Sequence, residues 1–145
     1  MRSARIAILV GLLASAATQA QTPEDRGLVL AKIAQTRGQG FGDASVSMKM
    51  ILRNPQGEEA VRELRSRVME VKGDGDKTLV VFDTPKDVRG TALLTHAHKN
   101  ATDERWLYLP ALKRVKRIAS SNQSGAFMGS EFAYEDFGAQ TLEKY

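Results

Sequence analysis

His96 and His98 stand two residues apart, a spacing that puts both imidazoles on one face of a strand, where they can chelate a metal ion. A closed site needs at least one more donor. The chain has no cysteine, and no Asp or Glu is placed by motif as a third ligand. Packed or exposed histidines are therefore the plainer reading, and no metal site is expected. Asp83, Asp87, Asp103, Glu104, Glu131, Glu135 and Asp136 are scattered, none at an acid/base spacing beside a nucleophile. Ser120, Ser121, Ser124 and Ser130 lie in glycine-containing stretches, but no G-x-S-x-G elbow occurs. Gly38-Gln39-Gly40-Phe41-Gly42 and Gly73-Asp74-Gly75 lack the strand-to-helix context in which glycines cradle phosphate. With no catalytic geometry to build, the chain is read as a binding protein without a cofactor, not as an enzyme.

Two other groups of residues offer binding chemistry. Trp106 and Tyr108 share a strand face beside Leu109-Pro110, where aromatics can line an apolar pocket or simply fill a core. Lys113-Arg114-Val115-Lys116-Arg117 is the densest charge run. Strand alternation puts Lys113 and Arg117 on one face and Arg114 and Lys116 on the other. Such a run guards an edge strand against aggregation, or docks an acidic partner or anionic headgroup.

The elements that position these residues follow from periodicity. Thr22 suits a helix N-cap, Pro23 the first helical position, and Glu24 and Asp25 the positive helix end. Val29, Leu30, Ile33 and Ala34 repeat at helical spacing, which predicts a packing helix ended by Gly38 and Gly40. From Ala44 the period changes to two. Ala44, Val46, Met48, Met50 and Leu52 point one way, while Ser45, Ser47, Lys49 and Arg53 point the other. Further strands are predicted over Ala60–Lys72, Lys77–Thr84, Thr91–His98, Arg105–Leu109 and Leu112–Ile118, separated by turn signals and with no helix between them. That pattern argues an antiparallel meander rather than βαβ units. Ser120–Ser130 reads as a small, polar, flexible loop, and Ser130 as the cap of a short helix over Glu131–Phe137. The strand Lys77–Phe82 is apolar on both faces, so it needs cover on both sides. The N-terminal helix is one cover; a second layer or a greasy cavity is the other.

The first twenty residues differ from the rest. Arg2 and Arg5 precede an uncharged apolar run, Ile6–Ala17, and small residues close it at Thr18-Gln19-Ala20. This is the order of a secretory signal peptide, too short to span a bilayer that needs roughly 20 helical residues. It implies a periplasmic protein with residues 1–20 removed and 21–145 as one domain. The absence of cysteine rules out lipidation behind the leader, disulfides and thiolate metal sites. The formal net charge of +4 falls to +2 once Arg2 and Arg5 are set aside, too little to argue for nucleic-acid binding.

Four segments carry a family resemblance: Gly73–Lys77 (GDGDK), Phe82–Leu94 (FDTPKDVRGTALL), Trp106–Ile118 (WLYLPALKRVKRI) and Phe127–Asp136 (FMGSEFAYED). Through them the chain, roughly from Thr22 to Tyr145, resembles the LolA-like outer-membrane lipoprotein-sorting proteins. The resemblance implies an α+β, mainly antiparallel fold: a half-barrel with an N-terminal helix and a short C-terminal helix on its open side. Family members continue with further strands, so the half-barrel is expected here as its N-terminal part. The resemblance also implies a periplasmic, monomeric carrier of lipoprotein or lipid acyl chains, with no catalytic residues, and an inner-membrane exporter of the resistance-nodulation-division type as partner. Met48, Met50, Val80, Phe82, Leu94, Trp106 and Tyr108 are the candidate acyl contacts; methionine adapts well to varied tails. Lys113, Arg114, Lys116 and Arg117 are the candidate docking residues. The alternative is an interaction or sensor module on the same fold, partnering a membrane exporter.

Overall fold

The computed structural model describes residues 22–138; the expected leader lies outside them. Helix α1 spans Pro23–Arg37 and begins as expected. The Thr22 hydroxyl accepts from the Asp25 N–H at 3.2 Å, and the Thr22 N–H donates to the Asp25 carboxylate at 3.2 Å, a reciprocal cap. Six strands follow: β1 Asp43–Arg53, β2 Glu59–Met69, β3 Lys77–Thr84, β4 Ala92–His96, β5 Glu104–Leu109 and β6 Arg114–Ile118. They form a single sheet in the order β1-β2-β3-β4-β5-β6, every pair antiparallel. The sheet is open, with β1 and β6 at its edges, in keeping with the half-barrel. No helix among the described residues is long and apolar enough to cross a membrane.

Register sorts the side chains into two faces. Leu64 stands opposite Met48 and Phe82, Val80 opposite Leu93, and Leu93 opposite Leu107. This row is the core face, and Leu64, Val80, Phe82 and Leu93 are all but fully buried there. On the outer face Leu79 stands opposite Leu94 and Leu94 opposite Trp106, while Val81 stands opposite Ala92 and Ala92 opposite Tyr108.

The cover of the core face differs from expectation. The α1 helix buries none of its residues, and Leu28, Val29, Leu30 and Ile33 are between 43% and 67% exposed. Its apolar spacing is real, but the core face is taken by another segment, residues 119–138. That segment supplies Phe127, fully buried, with Met128, Tyr134 and Phe137 packed around the core. It is neither a flexible loop nor a helix over Glu131–Phe137. It runs through 3-10 turns at Ser120–Asn122 and Tyr134–Phe137. Ser130 bonds within the turn instead of capping a helix: its hydroxyl donates to the Phe127 carbonyl at 2.7 Å and accepts from the Phe132 N–H at 3.2 Å. On the outer face, Leu79 and Val81 sit in a shallow groove between Arg65 and Arg67. The aliphatic stems of arginines cover apolar surface while their heads stay wet. Asp83 fixes Arg65 there with two hydrogen bonds of 2.7 Å.

The connection from α1 to β1 is held by one carboxylate. Glu70, just past β2, accepts from the N–H groups of Gly40 at 2.7 Å and Gly42 at 3.0 Å. Both glycines have positive φ, 84° and 73°, a conformation that other residues adopt at a cost. First the Gly40 N–H and then the Gly42 N–H hold the Glu70 carboxyl below its ordinary range. A carboxyl with a depressed folded value contributes stability above its unfolded value, near 4.3, and loses it as pH falls through the folded value. We expect Glu70→Gln to lower the urea midpoint at pH 7 and to match the wild type at pH 2–3. A difference that persists unchanged in acid would show that the carboxylate charge is not what holds the connection.

Candidate functional site

The apolar core face and its cover form the first candidate site. Phe127 is its centre, with ring centroids 5.6 Å from Phe82, 5.5 Å from Tyr134 and 4.4 Å from Phe137. Burying one such side chain contributes about 1.5–3 kcal/mol, yet the polar ties decide where the cover lies. Arg105, the second residue of β5, faces the core side and is 2% exposed. Its guanidinium donates to the Asp103 carboxylate at 2.9 Å, to the Tyr134 carbonyl at 3.1 Å and to the Gln123 side-chain oxygen. Gln123 in turn donates to the Asp103 carbonyl at 2.9 Å. At the other end of the cover, Arg62 on β2 donates to the Met128 carbonyl at 2.7 Å, with its guanidinium 5.9 Å from the Phe82 ring centroid. Burial raises the Tyr134 phenol above its ordinary range.

The seven candidate acyl contacts fall on both sides of the sheet. Met48, Met50, Val80 and Phe82 line the core face beneath the cover. Leu94, Trp106 and Tyr108 face outward, in rows with Leu79, Val81 and Val115. Lys113, Arg114, Lys116 and Arg117 all lie exposed at the β6 edge. Arg117 reaches across to Glu104 at 2.7 Å, and Lys113 closes the turn before β6 with φ 48°.

A third group gathers where the β2–β3 turn meets the β4–β5 connection. His98 Nδ1 lies 2.7 Å from Asp74 Oδ2, and His96 Nε2 lies 3.8 Å from the same oxygen. His98 Nε2 is 3.6 Å from Glu104 Oε2. The Lys99 N–H, then His98 and then the Gly75 N–H hold the Asp74 carboxyl far below the usual carboxylate range. Asp74 first and Glu104 after it raise His98 above its ordinary value.

The chain as a whole is similar to known proteins. A family model described as "-like: Uncharacterized protein" matches residues 74–145. A crystallised domain from Vibrio parahaemolyticus, provisionally described as an outer membrane lipoprotein-sorting protein, is 54% identical, with a TM-score of 0.79 over 83% of this chain and 51% of its own. The fold is LolA-like. A DUF1329 family protein from Desulfovibrio piger is 29% identical, with a TM-score of 0.71 over 85% of this chain and 51% of its own. The chain thus spans about half the length of these solved relatives. Comparison with curated proteins gives no match.

Two residues of this LolA-like fold that matter here carried no signal as motifs. Arg105 reads as an ordinary charged residue at a strand start, because Gln123 and Tyr134 lie far along the sequence. Asp74 belongs to a glycine turn well before the histidines. Its approach follows only from register: Lys77 stands opposite His96, so the turn before β3 meets the residues after β4.

Removing one partner of a buried ion pair costs about 3–5 kcal/mol, against about 0–1 kcal/mol for a surface pair. We expect Arg105→Ala to lower the unfolding free energy by about 3–5 kcal/mol in urea titrations, and Arg117→Ala, which loses the exposed Glu104 pair, by no more than about 1 kcal/mol. Equal small losses would place Arg105 among the surface pairs and remove it as the anchor of the cover.

Proposed function

We propose that this chain is the sheet-and-cover part of a periplasmic carrier that takes acyl chains of lipoproteins or lipids toward the outer membrane. One observation carries the reading: a broad apolar sheet face is closed by a single turn-rich segment, residues 119–138, tied down by a few polar contacts. A cover of that kind can be displaced as a unit without unpairing a strand. The 54% identity to a domain described as a lipoprotein-sorting protein supports the same reading. In this scheme an acyl chain lies on Met48, Met50, Val80 and Phe82 in place of the Phe127 cluster. The ligand recognition is diffuse and apolar, which asks for no catalytic group and no cofactor.

Docking is assigned to the β6 edge. The exposed cations Lys113, Arg114, Lys116 and Arg117 line the β6 edge of the described sheet, with Arg117 opposite Trp106 of the outward row and Lys116 opposite Leu107 of the core face. That surface suits an acidic, partly apolar partner such as an inner-membrane exporter. It also serves the second reading, in which the module only docks.

Expression of the full chain into a bacterial periplasm, followed by native mass spectrometry with lipid extraction, tests carriage. We expect a discrete mass increment released as phospholipid or acylated peptide. Titration with a fluorescent fatty acid then separates the faces. Met48→Lys is expected to weaken acyl binding at least tenfold, about 1.4 kcal/mol, and Leu94→Lys to leave it unchanged. Reversing the four cations is expected to abolish recovery of the exporter while acyl binding survives. A folded chain that never carries lipid or probe, yet still recovers the exporter through those cations, would replace the carrier with the docking module.

A further inference from the structure

The cluster at the end of the sheet belongs to neither the acyl face nor the basic edge. We propose that Asp74, His96 and His98 form a binding site for one divalent transition-metal ion of the zinc type, with Glu104 as its outer support. One carboxylate oxygen and one nitrogen from each histidine lie within 4.8 Å of one another, all on half-buried side chains. Metal–nitrogen and metal–oxygen distances near 2.0–2.2 Å place the donors of a tetrahedral ion about 3.3–3.5 Å apart. The 2.7 Å and 3.8 Å separations from Asp74 Oδ2 to the two imidazoles bracket that value, and the two imidazole nitrogens, within 4.8 Å of each other, close on the ion by side-chain rotation.

Three features make this more than a chance meeting of polar side chains. His96 Nε2 is shielded from solvent and has no hydrogen-bond partner among the described residues. A shielded imidazole nitrogen left unbonded 3.8 Å from a carboxylate oxygen can present its lone pair to a cation that the carboxylate also ligates. The carboxylate is also aimed. Asp74 Oδ1 accepts the Lys99 N–H at 3.0 Å, which leaves Oδ2 toward the histidines. The Asp103 carboxylate accepts the His98 backbone N–H at 3.1 Å and so fixes the main chain there, while Glu104 Oε2 sits 3.6 Å from His98 Nε2, the ring nitrogen that does not face Asp74. A carboxylate beside the second nitrogen of a ligating histidine orients the ring and raises its basicity, and Glu104 holds that place.

The third feature is the backbone that brings the turn in. A Cβ on Gly75 would lie 2.6 Å from the Ala97 carbonyl carbon and oxygen, so only glycine lets the turn pack against the residue between the two histidines. The Ala97 N–H donates to the Asp76 carbonyl at 3.0 Å and locks that approach. Two imidazoles and a carboxylate without sulfur suit zinc and its neighbours rather than calcium or magnesium, which take oxygen cages. The cations at the rim are Arg117, already engaged by Glu104, and Lys77, across from His96. A bound ion would clamp the β2–β3 turn to the β4–β5 connection.

The chain contains only these two histidines, so every imidazole signal reports on this site. Zinc chloride titrated into the chelator-stripped full chain is expected to bind at one equivalent and to move the imidazole resonances of both histidines together. Asp74→Asn and His96→Gln should each weaken binding at least tenfold while the zinc-free melting temperature stays within a few degrees. If a variant fails to fold, the wild-type imidazole spectrum decides alone. No saturable binding at micromolar zinc, a response from only one histidine, or variants that bind like the wild type would overturn the site.

Discussion

The buried guanidinium of Arg105 is the constraint around which the described fold is arranged. An arginine this deeply enclosed is tolerated only if its donors are met. Here three of them are, by the Asp103 carboxylate, the Gln123 side chain and the Tyr134 carbonyl. Two of those partners belong to residues 119–138, so satisfying Arg105 places the cover. The cover then places Phe127 on Phe82, and the aromatic cluster completes the core that the sheet alone leaves open. Asp103 extends the tie in the other direction. Its second oxygen takes the His98 N–H and so sets the position of the histidine pair.

The same constraint explains how a one-layer sheet can hold a strand that is apolar on both faces. On the core side the cover shields Val80 and Phe82. On the outer side the stems of Arg65 and Arg67 flank Leu79 and Val81. Further along the outer side, Leu94, Tyr108 and Val115 remain between 37% and 59% exposed, next to the cations of β6. One face is thus closed by a displaceable segment and the other left partly open, with the cations of β6 along the edge between them. That division gives the proposed carrier a place for its cargo and a separate place for its partner.

Much of the fold was legible in a pattern of period two in β1, an unbroken apolar run in β3 and turn residues between the strands. The order of the meander and the span of β3 follow directly from it. The alternation of Met48, Met50 and Leu52 assigned their shared face correctly. The parity of β4 and β5 was not legible. Leu93 and Leu94 are adjacent and both apolar, as are Trp106 and Leu107, and only register with Val80 shows that Leu93 and Leu107 face the core. The cover was misplaced for a related reason. Val29, Leu30 and Ile33 form a better apolar stripe than anything in Ser120–Ser130, yet burial went to Phe127 because long-range polar bonds hold its segment down. Local pattern reports propensity; it does not report which segment finds a buried arginine.

Amide hydrogen exchange across residues 119–138, with and without a bound fatty acid, tests the central claim most directly. The N–H groups of Phe127, Tyr134 and Glu135 are bonded to the carbonyls of Phe132, Gly125 and Gln123. If the segment is a fixed cover that yields to cargo, these amides exchange as slowly as those of β4 and β5 in the empty chain, and faster once the acyl chain is bound. Exchange at the rate of an open loop in the empty chain, or protection indifferent to the fatty acid, would contradict it.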